Sequence, residues 1–93
     1  ELKRHAALMV AERERLFAEL QKLPGVTPFP SKANFVLTRF ANAAAVFDGL
    51  KARGILVRNL SAMHPLMANT LRISVGTSAE MDAFLNALKE ICS

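Results

Sequence analysis

Thr70-Leu71-Arg72-Ile73-Ser74-Val75-Gly76-Thr77 is the stretch from which the rest of the chain can be read. Successive residues of a strand point to opposite faces of a sheet. Leu71, Ile73 and Val75 therefore make an apolar row and Thr70, Arg72 and Ser74 a polar one, which predicts a half-buried strand over 70–75. Gly76 releases the chain, and Thr77-Ser78-Ala79-Glu80 fits a capping box, with Thr77 as N-cap and Glu80 reaching back to it. The helix that follows carries an apolar stripe of Met81, Phe84, Leu85, Leu88 and Ile91. That stripe has to pack on a sheet face, because no other large apolar surface is available to it. The strand also fixes a charge. The guanidinium of Arg72 stays protonated, and its planar fork suits carboxylate and phosphate oxygens two at a time.

Upstream of this stretch, residues 59–69 read as a loop containing Pro65, and 55–58 as a strand that alternates Ile55 and Val57 against Leu56 and Arg58. Residues 43–53 predict a helix that buries Val46, Phe47 and Leu50, with Asn42 as its N-cap and Gly54 as its left-handed terminus. Asn34-Phe35-Val36-Leu37-Thr38-Arg39 has the β-branched and aromatic content of a strand. Pro28 and Pro30 make 26–31 an extended connector, outside any helix or central strand.

Residues 1–23 place Leu2, Ala6, Met9, Leu16, Phe17, Leu20 and Leu23 at helical spacing, and Pro24-Gly25 stops that helix. Arg13 interrupts the apolar face, its stem lying over apolar neighbours with the head in water. The expected order is α-β-α-β-β-α. It describes an α+β domain in which a small three-stranded sheet is covered by helices, the long first helix at its edge. The periodic pattern opens at Glu1 with no capping residue before it, so residues 1–93 are expected to be an excised piece of a longer protein.

Ninety-three residues suffice for one core, burying roughly 60–65% of the unfolded surface. A composition that is 52% apolar and 22% charged is that of a globular chain. No apolar run approaches the roughly 18 residues of a membrane span and no leader pattern opens the chain, so the expected location is cytoplasmic. Cys92, the sole cysteine, makes neither an internal disulfide nor a metal site. The net charge of +4 raises the question of nucleic acid, but the cations are not clustered. Arg4, Arg13 and Arg15 alternate with Glu1, Glu12, Glu14 and Glu19 as on a solvated helix face, and with no Trp or Tyr there is little for bases to stack on. A small anionic ligand accounts for the excess equally well.

Arg58 and Arg72 lie near the adjoining ends of consecutive strands joined by a loop. If those strands pair, both guanidiniums share one crevice, and their repulsion is relieved by water or by a bridging anion. Two solvent-facing side chains on an open sheet would give the same spacing. Other candidates are weaker. His64 has no carboxylate or second histidine near it in sequence, and His5 lies among charges on the first helix. Ser61 and Ser74 lack a nucleophile elbow, and nothing around Lys32 provides the burial a Schiff-base lysine needs. No phosphate-cradling glycine loop or metal-ligand spacing is present.

Taken together, Pro30-Ser31-Lys32-Ala33-Asn34-Phe35, Gly54-Ile55-Leu56-Val57-Arg58 and Leu71-Arg72-Ile73-Ser74-Val75-Gly76-Thr77 closely resemble the C-terminal small domain of the histidinol-phosphate aminotransferases. The resemblance covers nearly the whole chain. It implies a fold-type I enzyme that uses pyridoxal 5'-phosphate, a cytoplasmic homodimer moving an amino group between glutamate and imidazole-acetol phosphate in histidine biosynthesis, with histidinol phosphate and 2-oxoglutarate on the other side of the exchange. It implies that Arg72 grips the substrate's phosphate or carboxylate, that Arg58 assists, and that Asn34 stands at the active-site mouth. It also implies what is missing: the cofactor's lysine, its aspartate and its phosphate-binding residues belong to a large domain upstream, so this piece is inactive alone. Asn59 departs from the pattern, where an aspartate is frequent, which leaves room for the phosphothreonine decarboxylases and aromatic aminotransferases of the same fold. The alternative from another class is a ferredoxin-like small-ligand or RNA-binding module, with five of its six elements present and a final strand lacking.

Overall fold

Three helices and four antiparallel strands make up the computed structural model, which describes residues 2–92 and the side chains of 7–92. In chain order they are α1 (Leu2–Gln21), β1 (Val26–Pro28), β2 (Phe35–Phe40), α2 (Ala43–Ala52), β3 (Arg58–Asn59), β4 (Thr70–Ser74) and α3 (Ser78–Cys92), with a 3-10 turn at Pro65–Met67. Expectations for the side chains of Glu1, Leu2, Arg4, His5 and Ala6 lie outside the described residues.

The sheet runs β1-β2-β4-β3, one strand more than the sequence led us to expect. The addition is β1, from the segment read as a connector. Phe29 N–H donates to the Leu37 carbonyl at 2.9 Å and Ala41 N–H to the Gly25 carbonyl at 3.0 Å, so the ladder bonds fall on the odd residues of this segment. Pro28, opposite Thr38, occupies a position whose nitrogen points away from β2, and on an edge strand its missing N–H forfeits no bond. The sheet edge that a ferredoxin-like module fills with its last strand is filled here by a strand from the N-terminal side.

The second correction concerns 55–58. Pairing begins only at Arg58, and β3 is two residues long. Before it, Ile55 to Val57 part from the end of β4 around a cleft of about 460 Å³, floored by Met81 and Phe84. The other elements lie within a residue or two of their expected limits. Asn42 Oδ1 accepts from Ala45 N–H at 3.2 Å at the start of α2, and Gly54 turns with φ +78° after its end. The capping box closes as expected: Thr77 N–H donates to Glu80 Oε1 at 2.8 Å, and Glu80 N–H donates to Thr77 Oγ1 at 3.2 Å.

All three helices contribute to one core on one side of the sheet. Leu16 and Leu20 of α1, Val46 and Leu50 of α2, and Met81, Phe84, Leu85 and Leu88 of α3 meet Val36, Phe40, Leu71 and Ile73 there. α1 packs against the β1 edge and α3. This cluster takes the even residues of β2 and the odd ones of β4, which hands Phe35, Leu37, Arg39, Arg72 and Ser74 to the opposite face. No described helix covers that face. Thr70 belongs to the same row but is buried, its hydroxyl donating to the Ala68 carbonyl at 3.2 Å.

Candidate functional site: an arginine-bearing sheet face

Arg58 and Arg72 are direct cross-strand partners in the β3–β4 pair, and Arg72 is in turn opposite Leu37 of β2. Leu37, Arg72 and Arg58 therefore form one row across three strands. Side chains at facing positions of an antiparallel pair emerge on the same side with Cβ atoms about 4.5–5.5 Å apart, and like charges so placed repel. The sequence argument required these strands to pair, and they do. Arg72 is half-buried and its guanidinium carbon lies 5.5 Å from the centroid of the Phe35 ring, whose face attracts a cation. Arg58 is exposed.

A third arginine, to which the sequence reading gave no role, stands on the same face. Arg39, one row along, lies over the Phe29 ring at 5.4 Å and donates from Nη2 to the Leu66 carbonyl at 2.7 Å. Its signal was available in the parity of β2, since Phe35, Leu37 and Arg39 must share a face once Val36 and Phe40 are inward. Asn34 lies beyond the Phe35–Ser74 pair, exposed, its carbonyl accepting from Val75 N–H at 2.8 Å. The structure thus brings Arg58 and Arg72 together and sets Asn34 apart, three ladder positions from Arg72 and just past the end of the pairing.

The distribution of acids sharpens the picture. Residues 22–42 and 53–77, which hold every strand and connecting loop, contain no Asp or Glu, yet they contain Lys22, Lys32, Arg39, Arg53, Arg58 and Arg72. The ion pairs found among the described residues all draw their carboxylates from helices: Glu12 and Asp82 for Arg15, Glu19 for Lys22 and Lys89, Glu90 for Arg53. None involves Arg39, Arg58 or Arg72. The result is an open face bearing fixed positive charge, with aromatic rings beneath two of the cations and no acid of its own.

The remaining candidates recede. His64 accepts from Leu66 N–H at Nδ1, 3.1 Å away, and so caps the 3-10 turn. Arg13, half-buried, reaches the Ala33 carbonyl at 3.5 Å, beside a recess of about 650 Å³ between α1 and residues 30–36. Lys32 is exposed on the rim of that recess. Cys92 is half-buried, and desolvation raises its thiol pKa. Among the described residues no group of His, Cys, Asp and Glu is placed to hold a metal ion, and no helix is long and apolar enough to cross a membrane.

A histidinol-phosphate aminotransferase of Methylibium petroleiphilum is 54% identical over all 93 residues of this chain, which correspond to 25% of that protein. The chain is homologous to histidinol-phosphate aminotransferases over one quarter of their length. Among solved structures, the histidinol-phosphate aminotransferase of Sinorhizobium meliloti in complex with pyridoxal-5'-phosphate superposes with a TM-score of 0.82 at 28% identity, over 98% of this chain and 25% of that one. The L-threonine-O-3-phosphate decarboxylase of Porphyromonas gingivalis gives 0.78 at 26% identity, over 88% of this chain and 26% of that one. No family model matches the chain. The α+β architecture, with a small antiparallel sheet under helices, is that of an aminotransferase small domain.

Proposed function

We propose that this chain is the substrate-gripping small domain of a pyridoxal-phosphate aminotransferase acting on histidinol phosphate, with Arg72 as the principal anion contact and Arg58 as its partner. The carrying observation is the pairing of Arg58 with Arg72 on a sheet face that has no carboxylate to neutralise them. Two guanidiniums held by one ladder present several convergent N–H donors, and a phosphate monoester or a carboxylate satisfies them while cancelling their repulsion. The same pair would serve the carboxylate of glutamate or 2-oxoglutarate, so one site handles both halves of the amino exchange. Asn34 is a weaker member, at the rim.

Bound pyridoxal phosphate supplies an electron sink for the amino acid's reacting carbon. The described residues do not build a cradle for it. Lys22 and Lys89 are engaged with Glu19, Lys32 and Lys51 are exposed, and no aspartate stands on the open face. On this reading the cofactor is held by the other three quarters of the enzyme, in a large domain, and the 93-residue chain alone is inactive. This chain's own part is to bind and orient the anionic end of the substrate. Leu66, 74% exposed with its carbonyl held by Arg39, and Leu56, 77% exposed and two residues before Arg58, are apolar surface suited to cover by the rest of the enzyme, which on this reading is a cytoplasmic homodimer. A phosphothreonine decarboxylase is the second reading. It rests on the shared fold and on a substrate that also carries a phosphate ester, to which the arginine pair is equally suited.

Kinetics of the full-length enzyme carrying this chain test the assignment. Arg72→Ala is expected to lower kcat/KM about a hundredfold for both the phosphate-bearing and the dicarboxylic substrate, with the cofactor's absorbance unchanged. Kinetics like those of the parent enzyme would remove Arg72 from the site. Turnover of phosphothreonine to carbon dioxide, with no amino transfer from histidinol phosphate, would favour the second reading.

A further inference from the structure

The connection between β3 and β4 decides which residue of β3 stands opposite Arg72. β3 is two residues long, so its own ladder does little to fix its register, and the 59–69 loop has to do so. That loop is tied down at both ends: Leu60 N–H donates to the Thr70 carbonyl at 3.0 Å, and the Asn69 carbonyl accepts from Phe40 N–H at 2.9 Å. Asn69, at φ +56°, also accepts at Oδ1 from Ala43 N–H, 3.2 Å away. Between these ends the Leu66 backbone is held from two directions, its N–H by His64 Nδ1 and its carbonyl by Arg39.

We propose that Arg39 is a positioning residue which, by holding the Leu66 carbonyl from its seat over Phe29, keeps the 59–69 loop in the shape that places Arg58 opposite Arg72. The proposal rests on the reading of that pair as the substrate's anion site. Arg39 is suited to hold backbone rather than ligand. Its Nη2 is committed to Leu66 at 2.7 Å, and one face of its guanidinium is turned to an aromatic ring. It comes from the neighbouring row of the same sheet face, so its grip refers the loop to the sheet that carries Arg72. Loss of this bond leaves both substrate-binding arginines in the chain but loosens their spacing. The effect therefore falls on anion affinity and spares the chemical step.

The test uses the full-length enzyme and two readouts, steady-state kinetics with histidinol phosphate and competitive inhibition by inorganic phosphate. Arg39→Ala is expected to raise both the KM for histidinol phosphate and the phosphate inhibition constant about three- to tenfold, the range of one hydrogen bond, with kcat within about twofold. Arg39→Lys keeps a donor that can reach the Leu66 carbonyl but loses the planar fork, and is expected to recover part of the loss. If both Arg39 variants keep parental constants while Arg72→Ala raises them, the role of Arg39 is overturned and the arginine pair stands. If Arg72→Ala also leaves them unchanged, the anion site itself is wrong. A fall in kcat with unaltered KM would equally overturn the positioning role. Should Arg39→Ala fail to fold, the lysine variant carries the test with amide hydrogen exchange across 60–69: faster exchange with weaker phosphate inhibition supports the proposal, and parental values of both overturn it.

Discussion

Arg15 and Arg72 stand on opposite sides of one sheet, and their surroundings differ in kind. Arg15 donates to Glu12 at 2.7 Å and to Asp82 at 2.8 Å, tying α1 to α3, and these two acids raise its pKa. Arg72 has a phenyl ring beneath it, a second arginine across the ladder and no carboxylate on its face. The helical side solves its charges internally. The open side leaves them unsolved, and like charges set directly opposite weigh against folding. Two guanidiniums set opposite each other concentrate donors on one surface, as the proposed anion site requires, with the balancing charge arriving from outside.

Neighbouring residues of β4 offer the sharpest way to break this comparison. Leu71 is fully buried in the helical-side core, whereas Arg72 points the other way. Leu71→Ala is expected to cost about 2–5 kcal/mol of stability in urea unfolding of the chain. Arg72→Ala is expected to move stability by no more than about 1 kcal/mol, the scale of its contact with the Phe35 ring, while damaging kinetics as described above. If Arg72→Ala destabilised the chain as much as Leu71→Ala, the open face would be structural and the contrast would collapse. A smaller change sharpens it. Ser74→Asp puts a carboxylate two residues from Arg72 on the same exposed face, giving the arginines an internal partner. Inhibition by inorganic phosphate should weaken by about two- to fivefold in the full-length enzyme, from an interaction of roughly 0.5–1 kcal/mol. Tighter phosphate binding would show that the face is not short of negative charge.

On the helical side, the cap of α3 should behave as a local device. Glu80→Ala removes the acceptor of Thr77 N–H and should cost about 1 kcal/mol in unfolding. Gly76→Ala should cost a comparable amount, since an added Cβ would come 2.5 Å from Glu80 Oε1 and displace the same carboxylate. Additive losses in the double variant would show that the two act separately.

These contrasts also mark what the sequence made legible. The β4 alternation, the capping box and the stripe of α3 were plain because each is a short-range pattern whose partners sit within a few residues. The juxtaposition of Arg58 and Arg72 followed once adjacent strands were assumed to pair. β1 was hidden because prolines argue against strands, and only the register, with Pro28 at a position needing no N–H toward β2, shows why one is tolerated there. The shortening of β3 was hidden for the opposite reason. Ile55-Leu56-Val57 alternates like a strand, but the chain parts from β4 around the cleft beside Met81 and Phe84, a tertiary feature with no local signature. Arg39 needed both long-range facts: the inward face of β2, and a loop carbonyl 27 residues away in sequence.

The smallest expected effect tests whether the helical side really settles its own charges. Glu19 accepts from Lys22 at 2.8 Å and lies 3.4 Å from Lys89, and the hydrogen bond from Lys22 is the main reason its pKa falls below the ordinary value of 4.5. A carboxylate whose folded pKa is depressed contributes stability above its unfolded value, and that contribution is lost as pH falls through the folded one. Glu19→Gln should therefore lower Tm slightly at neutral pH, with the difference shrinking below pH 4.5 and vanishing once the parent's carboxylate is protonated in the folded state. Salt should shrink it too, because the group is exposed and screened. Phosphate inhibition of the full-length enzyme should not respond to Glu19→Gln at all. A change there would mean that the two sides of the sheet share their charge after all, and that the anion site is tuned from the helical side.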